Sequence, residues 1–196
     1  MLRHQQDDRD LLLRFIPSLN RVITKWLQPP VNHRFGEYSM KVKSLLDLFI
    51  HDLSDVYSAE KQITRALPKL VRAASDESLK NAFQQHLEET QGQIERLDQV
   101  VESHDELRIM RMKCHALEGL VEEAQELIES TEAGPVRDAG LIGAAQKVEH
   151  YEIATYGTLV AMAKKLELNQ AAELLAATLA EEKSTDEKLT DIAEKQ

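Results

Sequence analysis

From residue 40 onwards, apolar side chains recur at intervals of three and four residues, which places them on one face of an α-helix. This pattern predicts four long helices and one shorter helix. The long helices are expected over 44–74, 77–103, 136–166 and 170–194, and the shorter one over 112–130. The shorter helix falls in the connection between the second and third long helices. The expected fold class is therefore all-α.

Turn-forming residues separate the predicted helices. Ser75 or Asp76 can cap the second long helix, and Asn169 can cap the fourth. Gly134 suits the backbone conformation that ends a helix, and Pro135 is tolerated in the first turn of the next one. Short connections within each pair of long helices and a long one between the pairs describe two antiparallel hairpins joined by a crossover. This connectivity is typical of ferritin-like four-helix bundles, here with an additional shorter helix in the crossover.

Residues 1–39 differ from the rest of the chain. They hold Trp26, the only tryptophan of the chain, and three of its five prolines. Pro29 and Pro30 end any helix before them, because proline disfavours helical backbone in the preceding residue. We expect residues 1–39 to be a poorly structured leader before a physiological start at Met40, and 40–196 to be the helical bundle. A helix that binds a membrane surface or a partner is the alternative for the leader.

Composition and charge narrow the classes of function. The chain has 24 basic and 34 acidic side chains, which give it a net charge of −10. A protein this acidic repels the phosphate backbones of nucleic acids and attracts cations. No apolar run approaches the roughly 20 residues that a membrane-spanning helix needs. The single cysteine, Cys114, allows no intrachain disulfide and fits a reducing cytoplasm. We therefore expect a cytoplasmic protein that binds neither nucleic acid nor membrane.

Acidic residues interrupt the apolar faces of the four long helices. Glu60 is the most central, because it lies four residues after Val56 and three before Ile63 on the first apolar stripe. An uncompensated carboxylate in a helical core is costly, whereas a cation shared by several carboxylates compensates it. Oxygen ligands suit iron or manganese, and facing glutamates from four helices build di-iron sites in such bundles. The candidate metal ligands are Glu60, Glu89, Glu149, Glu152, Glu182 and Asp186.

Two observations favour a plainer interpretation of these acids. Long amphipathic helices carry many acids on solvated faces. We assign six others to such faces: Glu88, Glu122, Glu123, Glu126, Glu181 and Glu187. In addition, the Glu-x-x-His motif of di-iron bundles is missing, since no histidine stands three residues after Glu89, Glu149 or Glu182. His86, three residues before Glu89, is expected to be a structural hydrogen-bonding residue.

Several segments of the chain resemble the bacterial YciF/YciE family. The segments are FIHDLSDVYSAEKQ (49–62), HLEET (86–90), RMKC (111–114), RDAGLI (137–142), AQKVEHYEIA (145–154) and EEKSTD (181–186). The resemblance covers residues 40–196 and implies a ferritin-like, stress-associated, dimeric protein with a metal site and no established reaction. Many members carry a histidine shortly after the glutamate of the second helix, where this chain has Gln91, Gly92 and Gln93. The leader has no counterpart in the family.

These observations leave two hypotheses. The first is a cytoplasmic stress-response protein with a carboxylate-rich iron or manganese site, whose reaction, if it has one, is oxidative, such as ferroxidase or peroxide-consuming chemistry. The second is a non-catalytic bundle whose acids are structural and which acts through protein–protein interaction. A homodimer formed through the first two long helices is expected in either case. Convergence of Glu60, Glu89, Glu149 and Glu182 around one point would favour the first hypothesis.

Overall fold

The computed structural model describes residues 41–195, and every regular element in that range is a helix. The helices are α1 (Leu45–Ala73), α2 (Glu77–Glu102), α3 (His115–Ser130), α4 (Pro135–Lys165) and α5 (Asn169–Lys195). The all-α fold class and all five predicted helices are confirmed. Asn169, expected as the cap of the last helix, is instead its first residue, and α3 begins three residues later than expected. The predicted leader, residues 1–39, lies outside the described residues.

The four long helices form a bundle of two hairpins. Helix α1 packs along α2, and α4 packs along α5, with only short turns between the members of each hairpin. The hairpins associate through α1 against α4 and α2 against α5, while α3 covers the groove beside α1 and α4. The long connection between α2 and α4 carries α3, as predicted. This is the architecture of a ferritin-like bundle with a helix in its crossover.

The late start of α3 has a physical cause on α1. Ser54, Ser58 and Gln62 lie four residues apart and form a polar stripe on α1. The Ser54 hydroxyl accepts the backbone N–H of Met110 at 2.9 Å, and the Ser58 hydroxyl accepts that of Cys114 at 3.1 Å. The Gln62 amide donates to the Cys114 carbonyl oxygen at 3.0 Å. These contacts fix the backbone before α3 on the surface of α1, and the Cys114 carbonyl, which also accepts the N–H of Glu118 at 3.2 Å, is the point at which α3 begins.

The turn between α1 and α2 is fixed to the start of α4. Asp76 caps α2 by accepting the backbone N–H of Leu79 at 2.9 Å, as one of the two predicted caps. The buried Asp138 carboxylate accepts the backbone N–H groups of Ser75 at 2.8 Å and Asp76 at 2.9 Å. Gly134, with φ of 142°, allows the sharp entry into α4. These contacts hold the two hairpins in register at one end of the bundle.

A polar layer crosses the middle of the apolar core. Large apolar residues fill the core on both sides of this layer, as Val56 and Ile63 do around Glu60 on α1. Buried polar side chains from all four long helices form the layer itself: Glu60, His86, Thr90, Gln93, Glu149, Glu152, Thr178, Glu182 and Thr185. The buried polar side chains of the bundle's core are therefore concentrated in this layer.

Among the described helices, none combines the length and apolarity that a membrane crossing requires.

Candidate metal centre

Four residues of the polar layer bring potential metal ligands together. His86 on α2, Glu149 and Glu152 on α4, and Glu182 on α5 each present one ligand atom, and these atoms all lie within 4.8 Å of one another. All four side chains are buried. The Nε2 atom of His86 lies 3.7 Å from Oε1 of Glu149. Glu149 and Glu152 share one face of α4, because residues three apart on a helix are neighbours.

Glu60 extends this cluster towards α1. Its side chain is completely buried, and its Oε1 accepts a hydrogen bond from the hydroxyl of Tyr156, which is also completely buried. Besides desolvation, the charge of Glu60 raises the pKa values of Glu149 and Glu152, so Glu60 belongs to the electrostatic surroundings of the cluster. The structure therefore brings together four of the six predicted ligands, Glu60 with Glu149, Glu152 and Glu182.

The outer side of Glu182 is supported by hydrogen bonds from α2. The amide of Gln93 donates to both Glu182 and Glu181, and the Arg96 guanidinium forms two bonds to Glu181 at 2.7 and 2.8 Å. Glu181 is thus a half-buried, paired residue, and its assignment to a solvated face was wrong. Its partner Arg96 holds the pKa of Glu181 below the ordinary value against the effect of burial. The other five acids assigned to solvated faces are exposed.

Many buried oxygens of the cluster have no hydrogen-bond donor. Within residues 41–195, the unpartnered carboxylate atoms are Oε2 of Glu60, Oε2 of Glu149, both oxygens of Glu152, and Oε2 of Glu182. Nδ1 of His86 and Oε1 of Gln93 also lack a partner there. Buried charges without partners are strongly destabilising. The cluster must therefore hold either protons on its carboxyls or a cation among them.

Without a cation, burial keeps protons on these carboxyls. Desolvation, with the charge of Glu182, raises the pKa of Glu60 to about 8. Desolvation also raises the pKa of Glu182 to about 7, and those of Glu149 and Glu152 well above their ordinary range. In the opposite sense, desolvation lowers the pKa of His86 to about 4, so its imidazole is neutral at physiological pH. A neutral imidazole is the form that binds metals.

Two predicted ligands, Glu89 and Asp186, lie beside the cluster and not in it. Glu89 is half-buried, and its carboxylate accepts the amide of Gln85 at 2.7 Å. Asp186 accepts the amide of Gln146 at 3.2 Å and lies 3.5 Å from Nε2 of the exposed His150. Their negative charges still raise the pKa of carboxyls in the cluster. Both residues thus flank the site from its more solvated side.

The donor set fits a divalent transition metal. Three or four carboxylates and one neutral imidazole are ligands that iron, manganese and zinc accept, whereas magnesium and calcium prefer oxygen alone. One ligand atom from each of four buried residues lies within 4.8 Å of the others, and a dication among them would supply the missing charge. Gln93 and Tyr156 orient carboxylates of the cluster by hydrogen bonding, as residues around metal sites commonly do.

A family model described as a domain of unknown function, DUF892, matches residues 44–196. The chain belongs to the DUF892 family. Protein YciF from Escherichia coli (strain K12), a relative of this DUF892 chain, is 66% identical to it over 154 residues, which cover 79% of this chain and 93% of that protein. The resemblance stated above is thereby confirmed.

Solved structures agree with this membership of the DUF892 family. The crystal structure of the E. coli stress protein YciF matches with a TM-score of 0.77 and 66% identity, covering 78% of this chain and 96% of that one. YcfI from Rhodopseudomonas palustris matches with a TM-score of 0.74 and 42% identity, covering 79% of this chain and 98% of that one. A Xanthomonas campestris protein, at 22% identity and a TM-score of 0.61 over 77% of this chain and 92% of its own, supports the fold alone.

His86 is the member of the cluster that was expected from the sequence to have only a structural role. It lies three residues after Phe83 and four before Thr90, and both neighbours are buried on the same face of α2. That spacing was a signal for an inward-facing side chain. The Glu-x-x-His motif does not identify His86, because here the imidazole and Glu149 come from different helices.

Proposed function

We propose that this protein is a ferritin-like stress-response protein whose buried cluster binds iron or manganese. The observation that carries the proposal is the set of five buried carboxylate oxygens in the middle of the bundle that have no donor among residues 41–195. When bound, either metal supplies one-electron redox chemistry, so the proposed reaction class is oxidative, such as ferroxidase or peroxide-consuming chemistry. We place the protein in the bacterial cytoplasm and propose a homodimer as its assembly.

Each residue of the cluster has a role in this proposal. His86, Glu149, Glu152 and Glu182 are the ligands, because their donor atoms already lie within 4.8 Å of one another. Glu60 is a further carboxylate ligand, and the hydroxyl of Tyr156 holds it in orientation. The apolar core on both sides excludes water, which strengthens electrostatic interactions inside the site.

Metal binding in such a site must release protons. The raised pKa values of Glu60 and Glu182, about 8 and 7, mean that these carboxyls are partly or largely protonated near neutral pH in the metal-free protein. A divalent ion competes with those protons for the same oxygens. The apparent affinity for metal should therefore rise with pH between about 6 and 8.

One observation favours a second candidate, the non-catalytic bundle. With protons on its carboxyls, the cluster is uncharged, and Glu60 has a hydrogen-bond partner in Tyr156 without any metal. Leu45 and Leu48 near the start of α1 are also exposed enough to contact a partner chain. In that case the polar layer would serve folding specificity, and the function would lie in protein–protein interaction.

Thermal unfolding with and without metal separates the two candidates. After treatment with a chelator, Mn²⁺ or, under anaerobic conditions, Fe²⁺ at about 100 times the dissociation constant should raise the melting temperature by roughly 5–10 °C. Glu152→Gln should remove this shift, since it replaces a ligand whose two oxygens both lack partners in the part of the chain that the structure describes. Glu187→Gln, on an exposed residue, is the matched control and should keep it. A wild-type protein that neither ion stabilises would favour the non-catalytic bundle.

A further inference from the structure

An apolar cavity of about 50 Å³ lies in the bundle beside the cluster. All five helices contribute to its wall, with Ile63 from α1, Phe83 from α2, Ala124 from α3, Val148 from α4 and Leu189 from α5 among the lining residues. We call this space the apolar cavity. A cavity of roughly 10–15 Å³, measured in the same way, is already large enough for one water molecule.

The apolar cavity connects two different environments. His86 and Glu149, two of the four residues of the cluster, line one part of it. Lys69, which is exposed on α1, and the half-buried Gln125 of α3 line another part, so the cavity extends towards the protein surface there. Between these ends, every lining residue except Thr185 is apolar.

We propose that the apolar cavity admits a small apolar molecule of the dioxygen class and delivers it to the His86–Glu149 side of the cluster. This inference rests on the proposed function and names its co-substrate. Water in a cavity needs several polar partners, and an apolar wall gives it almost none, so the space favours an uncharged, non-hydrogen-bonding occupant. Hydrogen peroxide, which donates and accepts hydrogen bonds, would lose those bonds along this wall.

The cavity is also unsuited to carrying the metal itself. A divalent ion would have to leave its hydration shell before it reached the cluster, and apolar side chains offer no compensation for that loss. Separate routes for the ion and for the small apolar molecule follow from the chemistry of the wall. Changes that fill the cavity should therefore alter gas access without altering metal affinity.

Xenon is a suitable probe, because apolar protein cavities bind it and it undergoes no reaction. In crystals of metal-free wild-type protein under xenon pressure, we expect xenon density between Ala124 and Val148. Ala124→Leu should abolish this density, because the larger side chain fills the space. Ala116→Leu adds the same atoms to an exposed position of the same helix and should leave the density unchanged.

The second arm measures delivery in the metal-loaded protein. With iron content matched, Ala124→Leu should slow the oxidation of bound Fe²⁺ by dissolved dioxygen by roughly tenfold, while Ala116→Leu should not. Ala144→Val on α4, a smaller change in the same wall, provides a second variant if Ala124→Leu unfolds.

The two arms distinguish failure of this inference from failure of the proposed function. Absence of xenon in the wild type, or an unchanged oxidation rate in a cavity-filled variant that excludes xenon, overturns the inference while the metal site stands. A wild-type protein that takes up no metal overturns the proposed function, and delivery to a metal with it, even if xenon occupies the cavity.

Discussion

The two carboxylate oxygens of Glu60 have different surroundings. Oε1 accepts the hydroxyl of Tyr156, while Oε2 has no donor within the described part of the chain. The hydrogen bond of Oε1 to Tyr156 is structural and exists without metal. Oε2, by contrast, is a buried oxygen that a proton or a cation must satisfy. Glu60 is thus the residue at which the structural and the metal-binding interpretations make different predictions.

Replacement of Glu60 by glutamine tests which interpretation is correct. Glu60→Gln keeps an acceptor for Tyr156 and removes the charge, so the metal-free variant should be at least as stable as wild type at pH 8. As a ligand, Glu60 contributes charge that glutamine lacks, so the variant should bind less iron or manganese by elemental analysis. Glu88→Gln, on an exposed residue of α2, should bind as much as wild type. Equal metal content in wild type and Glu60→Gln would exclude Glu60 as a ligand.

The raised pKa values predict how stability depends on pH in the metal-free protein. In the folded state, Glu60 and Glu182 keep their protons up to about pH 8 and 7, whereas the ordinary pKa is 4.5. The folded state therefore binds more protons over that range, so the free energy of unfolding falls as pH rises. The lowered pKa of His86 makes the free energy of unfolding rise with pH, but only between about pH 4 and 6.5. Between pH 6.5 and 8 the slope therefore depends mainly on the carboxyls of the cluster.

Urea unfolding measures this slope. With a chelator present, the unfolding midpoint should fall steadily between pH 6.5 and 8. Saturating Mn²⁺ should reverse or flatten the trend, because the ion replaces the protons. Glu60→Gln should reduce the slope in the metal-free protein. A midpoint that rises over this range without metal would show that the cluster is not protonated in the folded state.

The sequence predicted part of the candidate site at the level of single residues. Glu60, Glu149, Glu152 and Glu182 were correctly placed in the interior, because each falls on or next to an apolar stripe. Glu89 and Asp186 also lie next to such stripes, yet remain half-buried at the edge. One residue corresponds to 100° around a helix, and periodicity does not resolve which shoulder of a stripe faces the core. The packing between helices decides which shoulder faces the core.

Among the elements, the start of α4 is joined to the α1–α2 hairpin by a buried carboxylate. The Asp138 carboxylate is buried and accepts two backbone N–H groups from the turn between α1 and α2. Hydrogen bonds to a charged acceptor are stronger than neutral ones. This contact also gives a structural reason for the RDAGLI segment, which sequence reasoning had quoted only as part of a resemblance.

Removal of this connection should destabilise the whole bundle. Asp138→Ala leaves two backbone N–H groups without their acceptor, and we expect a loss of about 3 kcal/mol in the free energy of unfolding. Asp105→Ala, on an exposed residue of the connection after α2, is the control and should change it by less than about 0.5 kcal/mol. Urea unfolding at one pH measures both. A loss in Asp138→Ala no larger than that in the control would contradict the structural role.

Helix bounds were predicted well where local signals act and less well where tertiary contacts act. Asp76 caps α2, and Gly134 with Pro135 begins α4, as local sequence indicated. The start of α3 was placed too early, because Ser54 and Ser58 bind the preceding backbone from another helix. Such contacts join residues more than fifty positions apart, which no local pattern reveals.

At the scale of the whole molecule, the bundle combines an apolar core with a costly polar layer. The apolar stripes and the turn-forming residues between them were enough to predict the fold class, the five helices and their connectivity. They also indicated that acids interrupt the core, but not that an imidazole from α2 would meet carboxylates from α4 and α5. That arrangement depends on the relative rotation of helices, which follows from side-chain packing. The assembly of protomers and the role of the leader stay predictions.

The most direct test of the central claim is to locate the metal. Crystals grown with Mn²⁺ or Fe²⁺ in place of chelator should show a strong anomalous peak enclosed by His86, Glu149, Glu152 and Glu182. Glu152→Gln crystals treated in the same way should show a much weaker peak at that position. A map with no peak in the polar layer at saturating metal, or with metal only beside Glu89 and Asp186, would contradict a buried metal centre.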